Sequence, residues 1–558
     1  MRNPSSLPNS PTLHGGGFTS PNRLRAHAAE EKAAELLADG ELAALLAPSA
    51  ERSEIERARQ MFVNRNLKMP QVELLGFDMD YTLAIYHMRR IEQLSFEMTV
   101  ERLIARGYPE TIRTLTYDHQ FGMRGLVVDK LNGNIIKMDR FGHVGRAYHG
   151  TEPLSTEERH REYKQEPIRL KNPQFACIDT LFALPEACLF AGVIQLFEAS
   201  SHAVEYGKLY DDIRDAIDTV HRDNSLKARI REAMGHYIFK DPELGPSLHK
   251  LRSGGKKLFL LTNSLWDYTD AVMRHLLDGV VAEYPSWRNY FDVVVTGASK
   301  PSFFGLGSTF LEVDGTRADN IILGEANSLE RWKVYQGGNL QAFERMTGYA
   351  GEKILYVGDH IFGDILKSKK ASLWRTCMVV QEIEDEIRYT DSRREELSRL
   401  SDVEGARARL DDEVNQRKGQ LNALERRLER AGELSEPGRS KSESERKRQK
   451  GELDKLRRAL RQATEIADAL EVDVEEGFNP YWGLMFKEGH ENSRFGEQVE
   501  KYACLYTSRV SNFLHYSPMQ YFRSPRDVMA HERSLATKRR ADPPPPEGAE
   551  DPHASGRR

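Results

Sequence analysis

The sequence predicts an α/β protein built around a parallel β-sheet. Four short apolar segments are typical of strands, at Val72–Phe77, Lys256–Asn263, Tyr290–Thr296 and Lys353–Asp359. Segments of helical composition separate them, and strands that alternate with helices favour a parallel sheet. Each strand ends in, or leads to, polar residues. Because ligands of such sheets bind at the carboxyl ends of the strands, this edge is the expected functional site.

The first strand end carries the most informative pattern, two carboxylates on alternate residues. Asp78 and Asp80 follow the apolar run and precede Thr82. Alternate residues share a face of a strand, and the turn beyond its end lets both carboxyls converge on one point. Converging acids repel unless a cation or a shared proton compensates them. The pattern indicates a Mg²⁺ site in which one Asp attacks phosphorus and the other moves protons. Two solvated aspartates are the alternative.

The other strand ends carry residue types that suit the rest of a phosphoryl-transfer site. They are Thr262 and Asn263, Lys300, and the pair Asp359 and Asp364. A hydroxyl, backbone N–H groups and an ammonium stabilise phosphoryl oxygens. Further carboxylates complete the oxygen ligands that Mg²⁺ prefers. Together the four ends predict phosphoryl transfer through an aspartyl-phosphate.

Composition limits the class of protein. The 558 residues suffice for two or three domains, with 39% hydrophobic and 30% charged residues. A net charge of −5 gives no case for binding a nucleic-acid polymer. Four cysteines without CxxC spacing favour reduced thiols and a cytoplasmic location. No uninterrupted apolar run approaches the ~18 residues of a membrane span, so no membrane association is expected.

Composition also divides the chain into segments. Residues 1–21 and 531–558 are expected to be disordered. Two apolar seven-residue grids in 391–475 predict a coiled hairpin of two antiparallel helices, whose charged faces are either solvated or a docking arm for a partner. The remaining predicted segments are 22–130 (N-terminal helices and first part of the core), 131–245 (substrate-reading domain), 246–390 (second part of the core) and 476–530 (C-terminal core or interface segment).

Smaller elements are predicted within these segments. Helices are expected between Arg25 and Val63, and at Glu92–Arg106, Pro185–Ala199 and Lys208–Val220. An Asn-Gly turn at residues 132–133 lies between two strand-like runs and predicts a β-hairpin.

Longer strings surround these motifs, at Gly76–Ala84, Leu260–Ser264, Lys300–Phe304 and Val357–Lys370, with a further stretch at Phe495–Tyr521. The motifs in this order resemble the haloacid dehalogenase superfamily, and the longer strings resemble, within it, the cytosolic purine 5'-nucleotidase family. The resemblance implies a Rossmann-like core with an inserted α+β cap domain and a long antiparallel helical hairpin near the C-terminus. It also implies Mg²⁺-dependent hydrolysis of purine nucleoside 5'-monophosphates such as IMP and GMP.

The resemblance assigns roles by position. Asp78 is the nucleophile, and Asp80 is the general acid/base that binds Mg²⁺ through its backbone carbonyl. The other assigned residues are Thr262, Asn263 and Lys300 for the phosphate, Asp359 as a metal ligand and Asp364 as support for the metal and the lysine.

Substrate recognition is assigned to the inserted domain. Arg214, Asp218 and Lys227 are expected to contact base and sugar. Arg214 and Asp218 lie four residues apart on one helix face, so an ordinary ion pair is the alternative. The family has an aromatic residue and Asn after His-Gly, whereas Thr151 and Glu152 stand here. This departure removes the expected stacking platform and motivates a second hypothesis, a phosphatase for another small phosphomonoester.

The resemblance also concerns partners. It implies a nucleotide effector site near Phe362 and Lys370 and a homo-oligomer, either a dimer or a tetramer. The alternative to an enzyme is a non-catalytic scaffold that uses the coiled hairpin. The presence of every catalytic residue type at its motif position argues against it.

Overall fold

The structure is a computed structural model that describes residues 55–163, 166–429 and 436–532. The predicted disordered ends, at 1–21 and from 533 onward, lie outside the described residues, as do the predicted helices before residue 55.

Twenty-one strands lie in the described part of the chain, most of them short. In chain order they are β1 (Phe62–Val63), β2 (Leu67–Lys68), β3 (Leu74–Phe77), β4 (Ile85–Tyr86), β5 (Val127–Asp129), β6 (Asn134–Met138), β7 (Val144–His149), β8 (Glu152–Pro153), β9 (Phe175–Cys177), β10 (Ile238–Phe239), β11 (Lys257–Leu261), β12 (Val293–Thr296), β13 (Phe310–Val313), β14 (Ile322–Glu325), β15 (Val334–Gly337), β16 (Ile354–Gly358), β17 (Arg375–Val379), β18 (Lys487–Glu488), β19 (Glu491–Asn492), β20 (Leu505–Thr507) and β21 (Tyr521–Phe522).

Fourteen α-helices accompany these strands in the same described ranges. They are α1 (Met88–Ala105), α2 (Thr156–Tyr163), α3 (Leu184–Ala199), α4 (Tyr206–Arg222), α5 (Ser225–Glu232), α6 (Met234–Tyr237), α7 (Leu244–Ser253), α8 (Trp266–Leu277), α9 (Leu340–Thr347), α10 (Lys367–Ala371), α11 (Ile383–Ser392), α12 (Arg394–Glu429), α13 (Glu436–Glu476) and α14 (Arg494–Tyr502).

A ten-stranded sheet forms the core, in the order β1-β20-β17-β16-β3-β11-β12-β15-β13-β14. The seven strands from β20 to β15 run parallel, while β1, β13 and β14 pair antiparallel at the edges. The four strands predicted from sequence are β3, β11, β12 and β16, and all four lie in this parallel part. β3 lies between β16 and β11, so the carboxyl ends of these three strands are adjacent.

The central strands are buried on both faces of the sheet. Leu75 and Phe77 pack into one apolar cluster, and Leu74 packs into a second cluster with Phe259. Gly76 permits this packing, because a Cβ at that position would lie 2.0 Å from a ring carbon of Phe259. The β3 strand is thereby fixed close to β11, which positions Asp78 at the strand end.

A second, five-stranded antiparallel sheet lies between the two halves of the core in sequence. Its order is β8-β7-β6-β5-β9, and β5 and β6 form the predicted hairpin around the Asn-Gly turn. Helices α3 and α4 follow it, close to their predicted bounds. The segment Leu181–Ala199 is long and apolar enough to cross a membrane, with a mean hydropathy of 1.5, but 67% of its most apolar window is buried within the protein, as in a core helix.

The two long helices α12 and α13 pack against each other in antiparallel directions. Arg417 of α12 binds Glu452 of α13 at 2.7 Å, and Arg393, directly before α12, binds Asp473 near the end of α13 at 3.0 Å. The seam between them buries three of the residues that define the seven-residue grids, Val414, Leu421 and Leu453.

One buried carboxyl in helix α1 makes the stability of the fold depend on pH. Glu92 accepts a hydrogen bond from the Tyr117 hydroxyl at 2.9 Å, and its other oxygen has no partner among the described residues. Burial raises the pKa of Glu92 from 4.5 to about 7, against the opposing effects of Tyr117 and Arg89 and with a small contribution from Glu382. Between these two values the folded state holds a proton that the unfolded state has lost.

Glu92→Gln should therefore be more stable than the wild type at pH 8, by up to about 3 kcal/mol at ~1.4 kcal/mol per pKa unit. The advantage should shrink to about 1 kcal/mol or less at pH 5, because Glu92 is then protonated in the folded state and only its unfolded state, with a pKa of 4.5, still loses the proton. The measurement is the free energy of unfolding from denaturant titrations at the two pH values. Glu97→Gln, an exposed carboxylate of the same helix, is the control and should show no such dependence. A larger advantage at pH 5 than at pH 8 would contradict the prediction.

Candidate active site

The turn after β3 aims both aspartates at one side of the sheet. The carbonyl of Met79 accepts hydrogen bonds from the backbone N–H groups of Thr82, Leu83 and Ala84 at 2.9–3.2 Å. Tyr81 adopts a left-handed backbone conformation with φ of 55°. This tight turn reverses the chain directly after Asp80, so that Asp80 stays at the sheet edge.

Lys300 is the cation at the centre of the site. Its ammonium lies 2.9 Å from Asp78 Oδ1 and 2.7 Å from Asp364 Oδ1, with 3% of the side chain exposed. The backbone N–H of Met79 also donates to Asp78 Oδ1, at 2.8 Å. Both donors bind the same oxygen, so Asp78 Oδ2 has no donor among the described residues, as an attacking oxygen requires.

Neighbouring strand ends hold Lys300 in place. Its ammonium donates to the Tyr356 hydroxyl at 2.8 Å, and that hydroxyl donates to the carbonyl of Leu261 at 3.0 Å. The Asn263 amide binds the main chain of Lys300 on both sides, accepting from its N–H at 2.6 Å and donating to its carbonyl at 2.9 Å. Asn263 therefore positions Lys300, in addition to facing the cavity.

The segment after β16 carries the remaining two carboxylates. Asp364 lies on a π-helical turn, Ile361–Leu366, and is almost fully buried. A Cβ at Gly358 would lie 2.6 Å from Asp364 Oδ2, so glycine is required for this close approach. The carbonyl of Asp359 accepts a hydrogen bond from the buried Arg124 at 2.9 Å.

Arg124 ties this segment to a distant part of the chain. Its guanidinium binds both carboxylate oxygens of Glu382, at 2.8 and 2.6 Å, and packs over the ring of Phe495. Arg124 thus holds the main chain of Asp359, and its charge also opposes the burial that raises the pKa of the Asp359 carboxyl.

Three carboxylates form a group suited to a divalent cation. One ligand oxygen from each of Asp78, Asp359 and Asp364 lies within 4.8 Å of the others, and all three residues are buried. When all are ionised, the three carboxylates and the ammonium of Lys300 together carry a net charge of −2. An all-oxygen donor set of this charge fits a hard divalent cation.

The protonation behaviour of the group supports the same fit. Burial raises the pKa of Asp78 to about 7, against the opposing ammonium of Lys300, and Asp364 and Asp80 raise it further. Burial and the same kind of like-charge repulsion raise the pKa of Asp359 well above its usual range. Such carboxyls stay ionised at neutral pH only when a cation compensates them.

Asp80 lies apart from this group and is held by hydroxyls. The Tyr86 hydroxyl donates to its Oδ1 at 2.6 Å, and the Ser264 hydroxyl donates to its Oδ2 at 2.7 Å. The carboxyl of Asp80 is only partly buried and faces the cavity. It is therefore placed to exchange protons with a molecule bound there.

A cavity of about 570 Å³ opens over these residues, within the range of small-molecule sites. Helices α4 and α5 of the inserted segment form its far wall, with Asp218, His221 and Lys227 in the lining. The structure brings the following predicted site residues to the cavity: Asp78, Asp80, Asn263, Lys300, Asp359, Asp364, Asp218, Lys227 and Phe362.

Three predicted residues lie elsewhere. Arg214 is outside the lining and binds the buried carboxylate of Glu186 at 2.8 Å, rather than pairing with Asp218. Thr262 is fully buried below the cavity, and its hydroxyl accepts the backbone N–H of Ser264 at 3.1 Å. Lys370 packs over the ring of Tyr502, away from the cavity.

Sequence reasoning missed the hydroxyl and aromatic residues of the site. Tyr86, Ser264 and Tyr268 surround Asp80, and Phe182 contributes an aromatic face to the wall. Ser264 follows directly after two recognised residues, so its position in the motif was a usable signal. The other three lack a local pattern that separates them from core residues.

The fold and site define a class of protein: a mixed α/β enzyme with a phosphoryl-transfer constellation at the carboxyl edge of a parallel sheet. The model of the 5' nucleotidase family matches residues 61–534. The chain therefore belongs to the 5' nucleotidase family. It is a hydrolase of the 5'-nucleotidase type.

Similar proteins agree with this assignment. A 5'-nucleotidase domain-containing protein of Dictyostelium discoideum is 31% identical over 487 residues, which cover 86% of this chain and 75% of that protein. The human 5'-nucleotidase domain-containing protein 2 is 34% identical over 345 residues, 60% of this chain and 65% of its own. The chain thus spans just under two thirds of the human protein.

Among solved structures, CbbY of Rhodobacter sphaeroides in complex with phosphate aligns with this chain at 12% sequence identity and a TM-score of 0.21. The alignment covers 55% of this chain and 86% of the CbbY chain. That likeness is too distant to carry an argument.

The three clustered carboxylates, Asp78, Asp359 and Asp364, predict that the thermal stability of the protein depends on a divalent cation. Adding Mg²⁺ or Mn²⁺ to chelator-treated protein should raise the Tm, corresponding to ~2.7 kcal/mol at a cation concentration 100 times the Kd. In Asp359→Asn this rise should shrink strongly, while the cation-free variant should be at least as stable as the wild type, because one repelling buried carboxylate is gone.

Thermal unfolding with and without the cation measures both effects. Asp129→Asn removes a buried carboxylate in the five-stranded sheet and is the matched control, which should keep the full cation-induced rise. An undiminished rise in Asp359→Asn would remove that residue from the metal site.

Proposed function

We propose that this protein hydrolyses nucleoside 5'-monophosphates to nucleoside and phosphate through an aspartyl-phosphate on Asp78. The observation that carries the proposal is the convergence of Asp78, Asp80 and Lys300 on one cavity at the carboxyl edge of the sheet. A nucleophile, a proton carrier and a phosphate-binding cation are the groups that such a reaction needs.

In the first half-reaction, a carboxylate oxygen of Asp78 attacks phosphorus. The new O–P bond forms as the bond from phosphorus to the nucleoside 5'-oxygen breaks. Asp80 in its protonated form gives its proton to the departing oxygen, and the ammonium of Lys300 compensates charge on the phosphoryl oxygens. The products are a nucleoside and the phosphorylated Asp78.

In the second half-reaction, water attacks the phosphorus of the aspartyl-phosphate. Asp80, now ionised, accepts a proton from the water, and the bond between phosphorus and the Asp78 oxygen breaks. This step releases inorganic phosphate, restores the Asp78 carboxylate and returns the proton to Asp80. One carboxyl therefore serves as acid and then as base.

We assign Mg²⁺ as the divalent cation, held by Asp78, Asp359 and Asp364 and, by family resemblance, by the backbone carbonyl of Asp80. Bound there, Mg²⁺ would neutralise the buried carboxylates and withdraw charge from the phosphoryl oxygens. The all-oxygen donor set supports this choice over softer metals.

The wall of the cavity supports a nucleoside as the leaving group. Phe182 and His221 present rings 4.9 Å apart, in an edge-to-face arrangement, and both line the cavity. His221 has a buried Nε2 without a partner among the described residues. These rings replace the stacking platform missing at Thr151 and Glu152, which are exposed and outside the cavity lining.

Asp218 provides a polar contact for the nucleoside. Its exposed carboxylate lines the cavity, and no described residue pairs with its oxygens. A carboxylate in this position can accept hydrogen bonds from ribose hydroxyls or from N–H groups of a purine. Arg214 is assigned here to bracing α4 through Glu186 rather than to the substrate.

Other properties stay predictions from the sequence and from the resemblance. They are a homo-oligomeric state, a cytoplasmic location and a nucleotide effector near Phe362 and Lys370. Phosphate release measured over nucleoside monophosphates and sugar phosphates with Mg²⁺ tests the substrate class. A sugar phosphate as the best substrate would favour the second hypothesis, a phosphatase for another small phosphomonoester.

Asp78→Asn should lower kcat by at least ~10³-fold, because the attacking charge is lost. Asp80→Asn is the matched comparison: it should lower kcat roughly 10²–10⁴-fold through loss of proton transfer. With an activated aryl phosphate, Asp80→Asn should still form the aspartyl-phosphate and Asp78→Asn should not. Quenched-flow measurement of phosphate bound to protein separates the two. Near-normal turnover in Asp78→Asn would refute the nucleophile assignment.

Asp218→Ala should lower kcat/KM for a nucleoside monophosphate by roughly 10- to 100-fold, the cost of one or two lost polar contacts at ~1.4 kcal/mol per decade. Hydrolysis of a simple aryl phosphate should change little, since it makes no nucleoside contact. Asp215→Ala is the control, because Asp215 is exposed on the same helix but binds Arg106 and Arg222. Equal losses for both substrates in Asp218→Ala would mean that the residue is structural.

A further inference from the structure

Asp80 is surrounded by hydroxyl donors that converge on its carboxyl. Tyr86 donates to Oδ1 and Ser264 to Oδ2, at 2.6 and 2.7 Å. Both oxygens of this one carboxyl are thereby bound by O–H groups from different parts of the chain. None of these hydroxyl residues belongs to the set assigned to the reaction above.

A second layer orients each of the two donors. The Tyr268 hydroxyl lies 2.9 Å from that of Tyr86. A phenol has one proton, and that of Tyr86 points to Asp80, so Tyr268 must donate to Tyr86. On the other side, the Lys227 ammonium donates to the Ser264 hydroxyl at 3.3 Å and lies over the Tyr268 ring. Every proton in this network therefore points towards Asp80.

The backbone around Tyr86 leaves its hydroxyl little freedom. Tyr86 lies in β4, where it pairs with Ile238 of β10, and only 4% of its surface is exposed. Its ring packs against the ring of Tyr81, with centroids 4.9 Å apart. A rigid phenol anchored in this way restricts the carboxyl it binds more strongly than a flexible side chain would.

We infer that Tyr86 is a positioning residue that fixes the Asp80 carboxyl for proton transfer to the leaving oxygen and from the attacking water. This inference rests on the proposed function. Tyr86 touches neither phosphorus nor the leaving group in this role; it acts through Asp80. Its loss should therefore matter only to the extent that a reaction step needs Asp80 to move a proton.

Tyr86→Phe tests this inference because it removes only the hydroxyl. The readout is kcat/KM for phosphate monoesters whose leaving groups differ in pKa. This parameter covers the steps up to aspartyl-phosphate formation. For a nucleoside monophosphate, whose alkoxide must be protonated, kcat/KM should fall roughly 10- to 100-fold, part of the 10²–10⁴ that a general acid contributes. For 2,4-dinitrophenyl phosphate, whose leaving group needs no proton, it should change less than about threefold.

The second half-reaction gives an independent readout. With saturating 2,4-dinitrophenyl phosphate, Tyr86→Phe should accumulate more aspartyl-phosphate than the wild type, because water activation also needs Asp80. Tyr268→Phe is the second variant and should show the same leaving-group dependence with a smaller loss. Tyr163→Phe is the matched control: Tyr163 is a buried tyrosine that donates to Asp129 at 2.9 Å in the five-stranded sheet, and its removal should affect all substrates equally or not at all.

The outcomes distinguish failure of the proposed hydrolytic function from failure of the positioning role of Tyr86. A wild type without hydrolytic activity on any of these esters overturns the proposed function and, with it, the role of Tyr86. An active wild type whose Tyr86→Phe and Tyr268→Phe variants lose activity equally on all leaving groups, or lose none, overturns the positioning role alone. A leaving-group-dependent loss in Tyr86→Phe but not in Tyr163→Phe supports it.

Discussion

The repulsion among buried carboxylates at the sheet edge is the constraint on which the site depends. Asp78, Asp359 and Asp364 lie close together out of water, around one ammonium. Such an arrangement is costly unless the surroundings fix it and positive charge compensates it. The parallel strands provide the rigidity, Lys300 provides one positive charge, and the proposed divalent cation would provide the rest.

Much of the polar structure near the site follows from this constraint. Tyr356 and Asn263 bind Lys300 from two sides, and the glycine at 358 allows Asp364 to approach the strand. Arg124, paired with Glu382, holds the Asp359 backbone, and its charge also favours the ionised form of the Asp359 carboxyl.

The sequence predicted the parts of the fold that leave local signals. Apolar runs ending in polar residues located β3, β11, β12 and β16, and the motif spacing placed Asp78, Lys300 and Asp359 together. Strands such as β14, fully exposed at the edge of the sheet, lack the buried apolar pattern of the central strands and were not recognised. Domain boundaries and residue roles stay predictions.

Side-chain partners across long distances were the main gap in the sequence reasoning. Helical spacing placed Arg214 and Asp218 on one face, but it could not show that Glu186 lies buried beneath Arg214. Likewise, nothing local to Tyr86 indicates Tyr268, 182 residues later, as its hydroxyl partner. Such contacts depend on how helices and strands pack against each other, and local sequence patterns do not show this packing.

The position of β3 has a consequence for how the chain is made. Its two neighbours in the sheet, β11 and β16, follow it in the chain by about 180 and about 280 residues. At ~5–20 residues per second, β3 leaves the ribosome roughly 14–56 s before β16 is complete. Until then the edge of β3 that pairs with β16 stays unpaired, and an unpaired apolar edge is a template for association with other chains. Over that interval the newly made chain is open to association with other chains at this strand, a risk that the folded protein no longer carries because β3 is then paired on both sides.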